Sequence, residues 1–252
     1  MRPPVDTIAA PPFPRGLPWV NSPPLCMDEQ VGRPVLVEFW DFCRVNSLRT
    51  LPYLREWHRR YADAGLRVVG VHSSGFPPSA GESAVRGAVA RLEVPYPVVV
   101  DAELEIWRRY GNRGWPARYL WNDAGRLHDY HYGEGAYAET ERAIQELVAD
   151  EREPVPPQRP EEDPAAVLAA QTADQPGAYN GPYVAGGVWA VLDGRGRVAV
   201  NGTTLEVDHP GCYRLVEHPA HTEAALDLRV GEGVTCHAVC FTPGVVGQAE
   251  AV

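Results

Sequence analysis

Two apolar, β-branched runs separated by one amphipathic stretch constrain the fold of the first half of this chain more than any other feature. The runs are VLVEFW at Val35–Trp40 and LRVVGVH at residues 66–72. Each has the continuous hydrophobicity of a strand that is buried on both faces. Between them, over residues 46–64, leucines and aromatic residues recur every three or four positions, as on one side of a helix. This order predicts two parallel strands of an α/β sheet.

The segments that follow extend the prediction to a mixed sheet flanked by helices. Helical spacing recurs over residues 80–92, 104–110 and 137–150. One further strand-like run lies between the first two of these segments, at residues 96–101. Residues 117–121 and 127–132 are apolar and aromatic runs joined by a turn rich in Asn, Asp and Gly, which is typical of a β-hairpin. We therefore expect an α/β domain whose sheet has a parallel part and an antiparallel edge.

The composition changes after residue 150. Residues 151–164 read EREPVPPQRPEEDP, a run dominated by proline and charge, which predicts an extended linker. Beyond it, short apolar runs alternate with Gly, Asn, Asp and Pro, as in an all-β module. The sequence thus predicts an α/β domain over residues 1–150, a linker over residues 151–165 and a small all-β, sandwich-like domain over residues 166–252.

Charge and cysteine content argue against several classes of function. The 252 residues carry a formal net charge of -10, which disfavours nucleic acid and anionic membrane surfaces as partners, because binding to phosphates needs a basic face. The first 19 residues are interrupted by prolines and lack the apolar stretch of a signal peptide or a membrane span, so we expect a cytoplasmic protein. The five cysteines and eight histidines lack the spacing of zinc ligands, and we expect neither a metal nor a cofactor.

Several segments of the first 150 residues, taken in order, resemble one known family. They include VLVEFW at Val35–Trp40, NSLRTLPYL at residues 46–54, GLRVVGVH at residues 65–72 and YGNRGWPARYL at residues 110–120. The chain resembles the thioredoxin-like domains of the TlpA and DipZ type over about residues 16–148. This resemblance implies a thioredoxin-like fold.

The resemblance also implies where a redox motif would lie. In that family two cysteines follow the strand and begin the next helix, and without a gap their positions fall on Arg44 and Ser47. Both thiols are absent, although dithiol exchange needs one thiol to attack and a second to resolve the mixed disulfide. Glu38 matches the family's buried proton-transfer carboxylate. Pro116 matches its cis-proline, whose loop binds extended substrate backbone.

Cys43 lies one residue before the family's nucleophile and leaves two interpretations open. The adjacent Arg44 and the helix N-terminus would favour a thiolate, so Cys43 would run a one-thiol redox or transfer cycle with Glu38 as proton acceptor. Alternatively, Cys43 is a small apolar side chain in the core, which is common for cysteine. Ser47 is a further candidate catalytic group, although a first-turn or capping role suits it better, since no His follows it at a recognisable spacing.

Aromatic and cationic residues around this position suggest a binding face. Trp40, Phe42 and Trp115 would flank a ligand, and Arg44 and Arg113 would add a cationic lip for a carboxylate or phosphate. Two hypotheses follow. The first is a binding platform that holds a peptide or small molecule at the loop containing Pro116. The second is a single-cysteine oxidoreductase, peroxidase or transfer enzyme. The sequence indicates no oligomeric state.

Overall fold

The strand at Val35–Trp40 lies at the centre of a six-stranded sheet in the computed structural model of the protein, which describes residues 7–248. The described residues divide into two compact units, one that runs through Pro156 and one that starts at Pro157. The elements of the first unit are β1 (Trp19–Val20), β2 (Val35–Trp40), α1 (Val45–Tyr61), β3 (Arg67–His72), α2 (Glu82–Arg91), β4 (Val98–Val100), α3 (Glu105–Arg109), β5 (Ala117–Trp121), β6 (Leu127–Tyr132) and α4 (Tyr137–Val148).

The sheet of the first unit combines parallel and antiparallel pairing. Its strand order is β1-β4-β3-β2-β5-β6. Strands β2, β3 and β4 are parallel, whereas β1, β5 and β6 pair antiparallel with their neighbours. Because parallel strands end at the same edge of a sheet, the residues after β2 and after β3 come together there. This edge carries the candidate site.

Side chains of β2 alternate between two cores. Val35, Val37 and Phe39 pack on the face that α3 covers through Ile106. Glu38 lies on the opposite face, where its register partner Arg118 contacts the aromatic rings of α1 and α4. The strand is therefore buried on both sides, as its apolar sequence predicts.

Part of the predicted linker packs against the first unit. Val155 is buried, and its backbone N–H donates a 2.7 Å hydrogen bond to Oε2 of Glu141 in α4. Within the predicted linker, one apolar side chain and one buried carboxylate therefore hold the chain against the first unit at Val155. Further on, Pro160–Glu162 form a 3₁₀ turn that contacts strands of the second unit.

The second unit is all β. Its elements are β7 (Ala166–Ala169), β8 (Gln175–Pro176), β9 (Gly181–Gly194), β10 (Gly196–Val200), β11 (Thr203–Val207), β12 (Gly211–Leu226), β13 (Leu228–Val230), β14 (Val234–Thr242) and β15 (Gly244–Gln248). Within the described residues they form a four-stranded sheet (β12-β9-β14-β8), a three-stranded sheet (β11-β10-β13) and a β15-β7 pair. The two larger sheets share one apolar core, which is the arrangement of a sandwich.

No helix among the described residues is long and apolar enough to cross a bilayer.

Candidate functional site

The loop between β2 and α1 forms the centre of the candidate site. Arg44 is the N-cap residue of α1 and has extended backbone angles (φ -108°, ψ 118°). No side chain caps this helix, and its first turn contains no acidic residue. The start of the 17-residue α1 therefore keeps the partial positive charge of its unpaired backbone N–H groups.

Asp41 organises this loop from inside the protein. Its carboxylate is completely buried, and it accepts 2.8 Å hydrogen bonds from the backbone N–H groups of Cys43 and Gly75. One carboxylate thus ties the loop after β2 to the loop after β3. Burial raises the pKa of Asp41, and the two backbone hydrogen bonds act against that rise.

Ser47 has a structural role. Its side chain is buried, and its hydroxyl accepts a 3.1 Å hydrogen bond from the backbone N–H of Asp41. It is therefore engaged in shaping the turn into α1, and the geometry does not present it to a substrate. This placement does not support a catalytic role for Ser47.

His72 completes the buried polar cluster beneath the loop. It ends β3, directly opposite Trp40 in the parallel register. The Phe42 ring stacks on its imidazole at 5.2 Å, and Nε2 lies 3.7 Å from Oδ1 of Asp41. Burial lowers the pKa of His72 to about 3, so the ring is neutral at physiological pH. Sequence reasoning missed His72, although its position at the end of a buried strand was a usable signal.

Three residues expected at a ligand or reaction face are instead in the core. Trp40 and Cys43 are 0% exposed, and Phe42 is 1% exposed. Trp40 and Phe42 pack against His72, which removes them from a binding surface. The side chain of Cys43 lies inside the protein, where a substrate at the surface does not reach its sulfur.

Arg44 is a predicted site residue that remains partly accessible. Its guanidinium carbon lies 4.8 Å from the ring centre of Phe76 and 4.6 Å from that of Trp115. Within residues 7–248 the guanidinium makes no hydrogen bond, and its Nε is buried without an acceptor. Two aromatic contacts thus hold a charged group whose hydrogen-bonding capacity is unused.

The loop around Trp115 is itself fixed. The Trp115 indole N–H donates a 2.8 Å hydrogen bond to the carbonyl of Ser73, and its ring lies 4.2 Å from that of Trp107. The peptide bond between Trp115 and Pro116 is cis. Arg113, on the same loop, is exposed. The structure thus brings Arg44 and Trp115 together.

Glu38 lies in a second polar cluster, in the middle of the sheet. Its carboxyl group is completely buried and makes no hydrogen bond within the described part of the chain, and Arg118 is its charged neighbour. Burial raises the pKa of Glu38 to about 8, while Arg118 acts in the opposite direction. The same carboxyl group adds to the raised pKa of Tyr96. The expected grouping of Glu38 with Cys43 and Arg44 is therefore replaced by a grouping with Arg118 and Tyr96.

Two surface cavities, of about 370 and 680 Å³, border α4 and the residues that follow it, and neither is lined by a predicted site residue. Among residues 7–248, no three His, Cys, Asp or Glu side chains are grouped so that they could hold a metal ion.

Comparisons with known proteins point to thioredoxin-like relatives. Protein DipZ of Mycobacterium bovis is 31% identical over 199 residues, which span 74% of this chain and 29% of DipZ. The thiol-disulfide oxidoreductase YkuV of Bacillus subtilis is 22% identical over 133 residues, which span 52% of this chain and 88% of YkuV. A solved structure of the thioredoxin-like superfamily protein SPOA0173 superposes with a TM-score of 0.52 at 18% identity, covering 57% of this chain and 99% of that protein. No protein-family model matches.

The comparisons also bear on the extent of the similarity. This chain matches less than a third of the length of DipZ. The match spans more of this chain than the 156 residues of the first unit, so it continues into the all-β unit. The structural similarity supports the thioredoxin-like fold, and the relatives include thiol-disulfide oxidoreductases.

Proposed function

We propose that this chain, whose first unit is a thioredoxin-like domain, is a binding module that holds an extended peptide at the loop before Pro116 and performs no dithiol exchange. The observation that carries the proposal is the chemistry at the start of α1. The family resemblance assigns the two redox positions to Arg44 and Ser47. A guanidinium and a buried hydroxyl can neither attack a disulfide nor resolve a mixed one.

The backbone at Trp115 supports the peptide-binding part of the proposal. Its N–H and C=O have no hydrogen-bond partner within residues 7–248, whereas the carbonyl of Pro116 already accepts the N–H of Gly133. An unpaired N–H and C=O on one residue can pair with an extended chain as neighbouring β-strands do. The indole of Trp115 is fixed by Ser73, so the loop is pre-organised for such pairing.

The single-cysteine alternative requires a different conformation. Cys43 is completely buried, and its backbone N–H is held by Asp41. A reaction through its sulfur, with Glu38 and Arg44 assisting, needs the loop to open so that a peroxide or an activated carbon can reach it. We therefore place this catalytic function second.

The dithiol part of the proposal is tested by restoring the missing thiols. The full chain should not reduce insulin, and Arg44→Cys alone should not either, since one thiol cannot resolve the mixed disulfide. The double variant Arg44→Cys with Ser47→Cys should gain insulin reduction at least tenfold above both. Insulin reduction by the unmodified chain at the rate of the double variant would contradict the proposal.

Alkylation separates the binding proposal from the one-thiol alternative. Cys26 is half-buried and serves as the internal reference. We expect iodoacetamide to label Cys43 at least tenfold more slowly than Cys26, as measured by peptide mass spectrometry between pH 6 and 9. Faster labelling of Cys43, together with peroxide turnover that is lost in Cys43→Ser, would establish the alternative instead.

The peptide part is tested by NMR on the full chain. The probe is a pool of acetylated, amidated pentapeptides with random sequence and no cysteine. We expect the backbone amide signal of Trp115 to shift with added pool, while the amide of Val207 in the all-β unit serves as the reference that does not shift. Unchanged signals over residues 111–117 would contradict peptide binding at this loop.

A further inference from the structure

Among residues 7–248 the guanidinium of Arg44 makes no close ion pair, and the charge that acts on it at longer range is that of Asp41. The neighbours of the guanidinium are the rings of Phe76 and Trp115, which hold it from two sides by cation–π contacts. A carbon atom added to Gly75 would lie 2.8 Å from Nε and 2.9 Å from Nη2 of Arg44, so this edge of the guanidinium lies against backbone. The side chain is thus held in one place.

Asp41, whose charge acts on Arg44, accepts no hydrogen bond from this guanidinium in the part of the chain that the structure describes. Oδ1 of Asp41 accepts a hydrogen bond from the N–H of Cys43, and Oδ2 accepts one from the N–H of Gly75. Burial raises the pKa of Asp41, and the charge of Arg44 is among the influences that oppose this rise. The donors of Arg44 that do not face Gly75 are therefore left for an acceptor from outside, since a guanidinium offers five N–H groups.

Two further features at this place favour an anion. The start of α1 has neither a capping side chain nor an acidic residue in its first turn. The Trp115 ring that contacts Arg44 belongs to the residue whose backbone N–H and C=O are unpaired within the described residues. A peptide paired with Trp115 therefore runs beside the guanidinium.

We propose that Arg44 selects the peptide by forming a bidentate ion pair with one of its carboxylates, so that the ligand of this module is an acidic extended segment. This inference rests on the proposed function and names its substrate class. A carboxylate, with its single charge and two oxygens, matches one planar guanidinium. Because the chain carries a net charge of -10, its overall field repels acidic peptides, and a preference for them must come from a local site.

The test uses affinity selection on the immobilised full chain. Three pentapeptide pools are mixed in equal amounts, each with random flanking residues other than cysteine. The first has a central Glu and blocked ends, the second has a central Gln and blocked ends, and the third has a central Gln and a free C-terminal carboxylate. Retained peptides are counted by mass spectrometry.

We expect retained Glu peptides to exceed blocked Gln peptides about tenfold, which corresponds to about 1.4 kcal/mol. The ratio should fall to about one in Arg44→Gln and recover in part in Arg44→Lys, which keeps the charge but loses the planar fork. Arg33→Gln is the matched control, because Arg33 is exposed and precedes β2 at the opposite end of the strand. It should keep the tenfold ratio. Backbone NMR spectra establish that each variant is folded.

The possible outcomes separate this inference from the proposed function. Retention of Glu and blocked Gln peptides in equal amounts would overturn the role of Arg44 and leave peptide binding in place. A Glu preference that persists in Arg44→Gln would also overturn it. Retention of no peptide from any pool would overturn both. Enrichment of the third pool over the second would assign the carboxylate to a chain end, and enrichment of the first alone would assign it to a side chain.

Discussion

Arg44 and Arg118 are each held between two aromatic rings, yet they lie in opposite environments. Arg44 lies half-buried at the start of α1 between Phe76 and Trp115. Arg118 is 1% exposed in the middle of the sheet, within 5.7 Å of the Trp57 ring and 5.0 Å of the Tyr137 ring. Burial lowers the pKa of Arg118 and the carboxyl group of Glu38 opposes that change, whereas Arg44 makes no close ion pair within the described residues and acts on Asp41 at longer range.

This difference shows what burial demands of a charged group. Inside the sheet, Arg118 depends on two aromatic rings, on the carbonyl of Gly135 and, above about pH 8, on the charge of Glu38, because an unpaired buried charge costs several kcal/mol. A guanidinium at the surface is stabilised by solvent and by ring contacts, so its ion-pairing capacity can be reserved for a ligand. The same side chain is thus part of the core at residue 118 and part of the candidate site at residue 44.

The largest expected effect comes from removing Arg118. In Arg118→Met at pH 9, Glu38 loses the cation that stabilises its charge, and we expect the free energy of unfolding to fall by about 3 kcal/mol. Urea unfolding followed by circular dichroism measures the change. Adding Glu38→Gln to Arg118→Met should recover at least half of the loss. A double variant no more stable than Arg118→Met would show that Arg118 acts through packing rather than through its charge.

The next largest effect is a pH dependence that Glu38 brings to folding. Its pKa is about 8 in the folded chain against 4.5 in the unfolded one. Between these values the folded state holds a proton that the unfolded state has released, so stability falls as the pH rises, by at most about 1.4 kcal/mol per pH unit. We therefore expect the free energy of unfolding of Glu38→Gln, relative to that of the wild type, to increase by roughly 2 kcal/mol from pH 6 to pH 8. Parallel stability curves for the two proteins would contradict the raised pKa.

The smallest effect belongs to Arg44. Replacing it by Gln removes two partly exposed cation–π contacts and no hydrogen bond within the described residues. We therefore expect the free energy of unfolding, measured by urea unfolding, to fall by about 1 kcal/mol. Because the charge of Arg44 also opposes the raised pKa of Asp41, the loss should be larger at a pH where that carboxylate is charged than at a pH where it is protonated, as stability curves for the two proteins would show. A loss as large as that of Arg118→Met would remove the distinction between the two arginines.

The sheet of the first unit could be predicted well because its signals are local. The bounds of β2, β5 and β6 agree with the sequence patterns, since β2 is a short apolar run and β5 and β6 flank a turn rich in Asn, Asp and Gly. The local sequence does not determine which of these side chains are buried. Trp40, Phe42 and Cys43 are apolar enough for either a core or a binding face, and only the position of His72 on the neighbouring strand decides between them.

The second unit was predicted as strands that are too short. Gly186 lies inside β9, although glycine was interpreted as a break between runs. A Cβ at this position would lie 2.2 Å from the carbonyl oxygen of Pro243, so glycine is needed for a close approach of two backbones. Likewise, Pro219 lies within the 16-residue β12, where the pairing with β9 shifts between Glu217 and Thr222. Such long-range contacts have no signature in a local window.

The tilted pair of Trp107 and Trp115, with ring centres 4.2 Å apart at 37°, gives the module a built-in optical reporter. Two indoles at this separation couple their electronic transitions, so the pair contributes a circular dichroism couplet that isolated tryptophans do not produce. Because Arg44 lies over the Trp115 ring, an event that draws the guanidinium away alters the electrostatic field at one chromophore of the pair. Occupancy of the loop can therefore be followed in unlabelled protein, without attaching a dye.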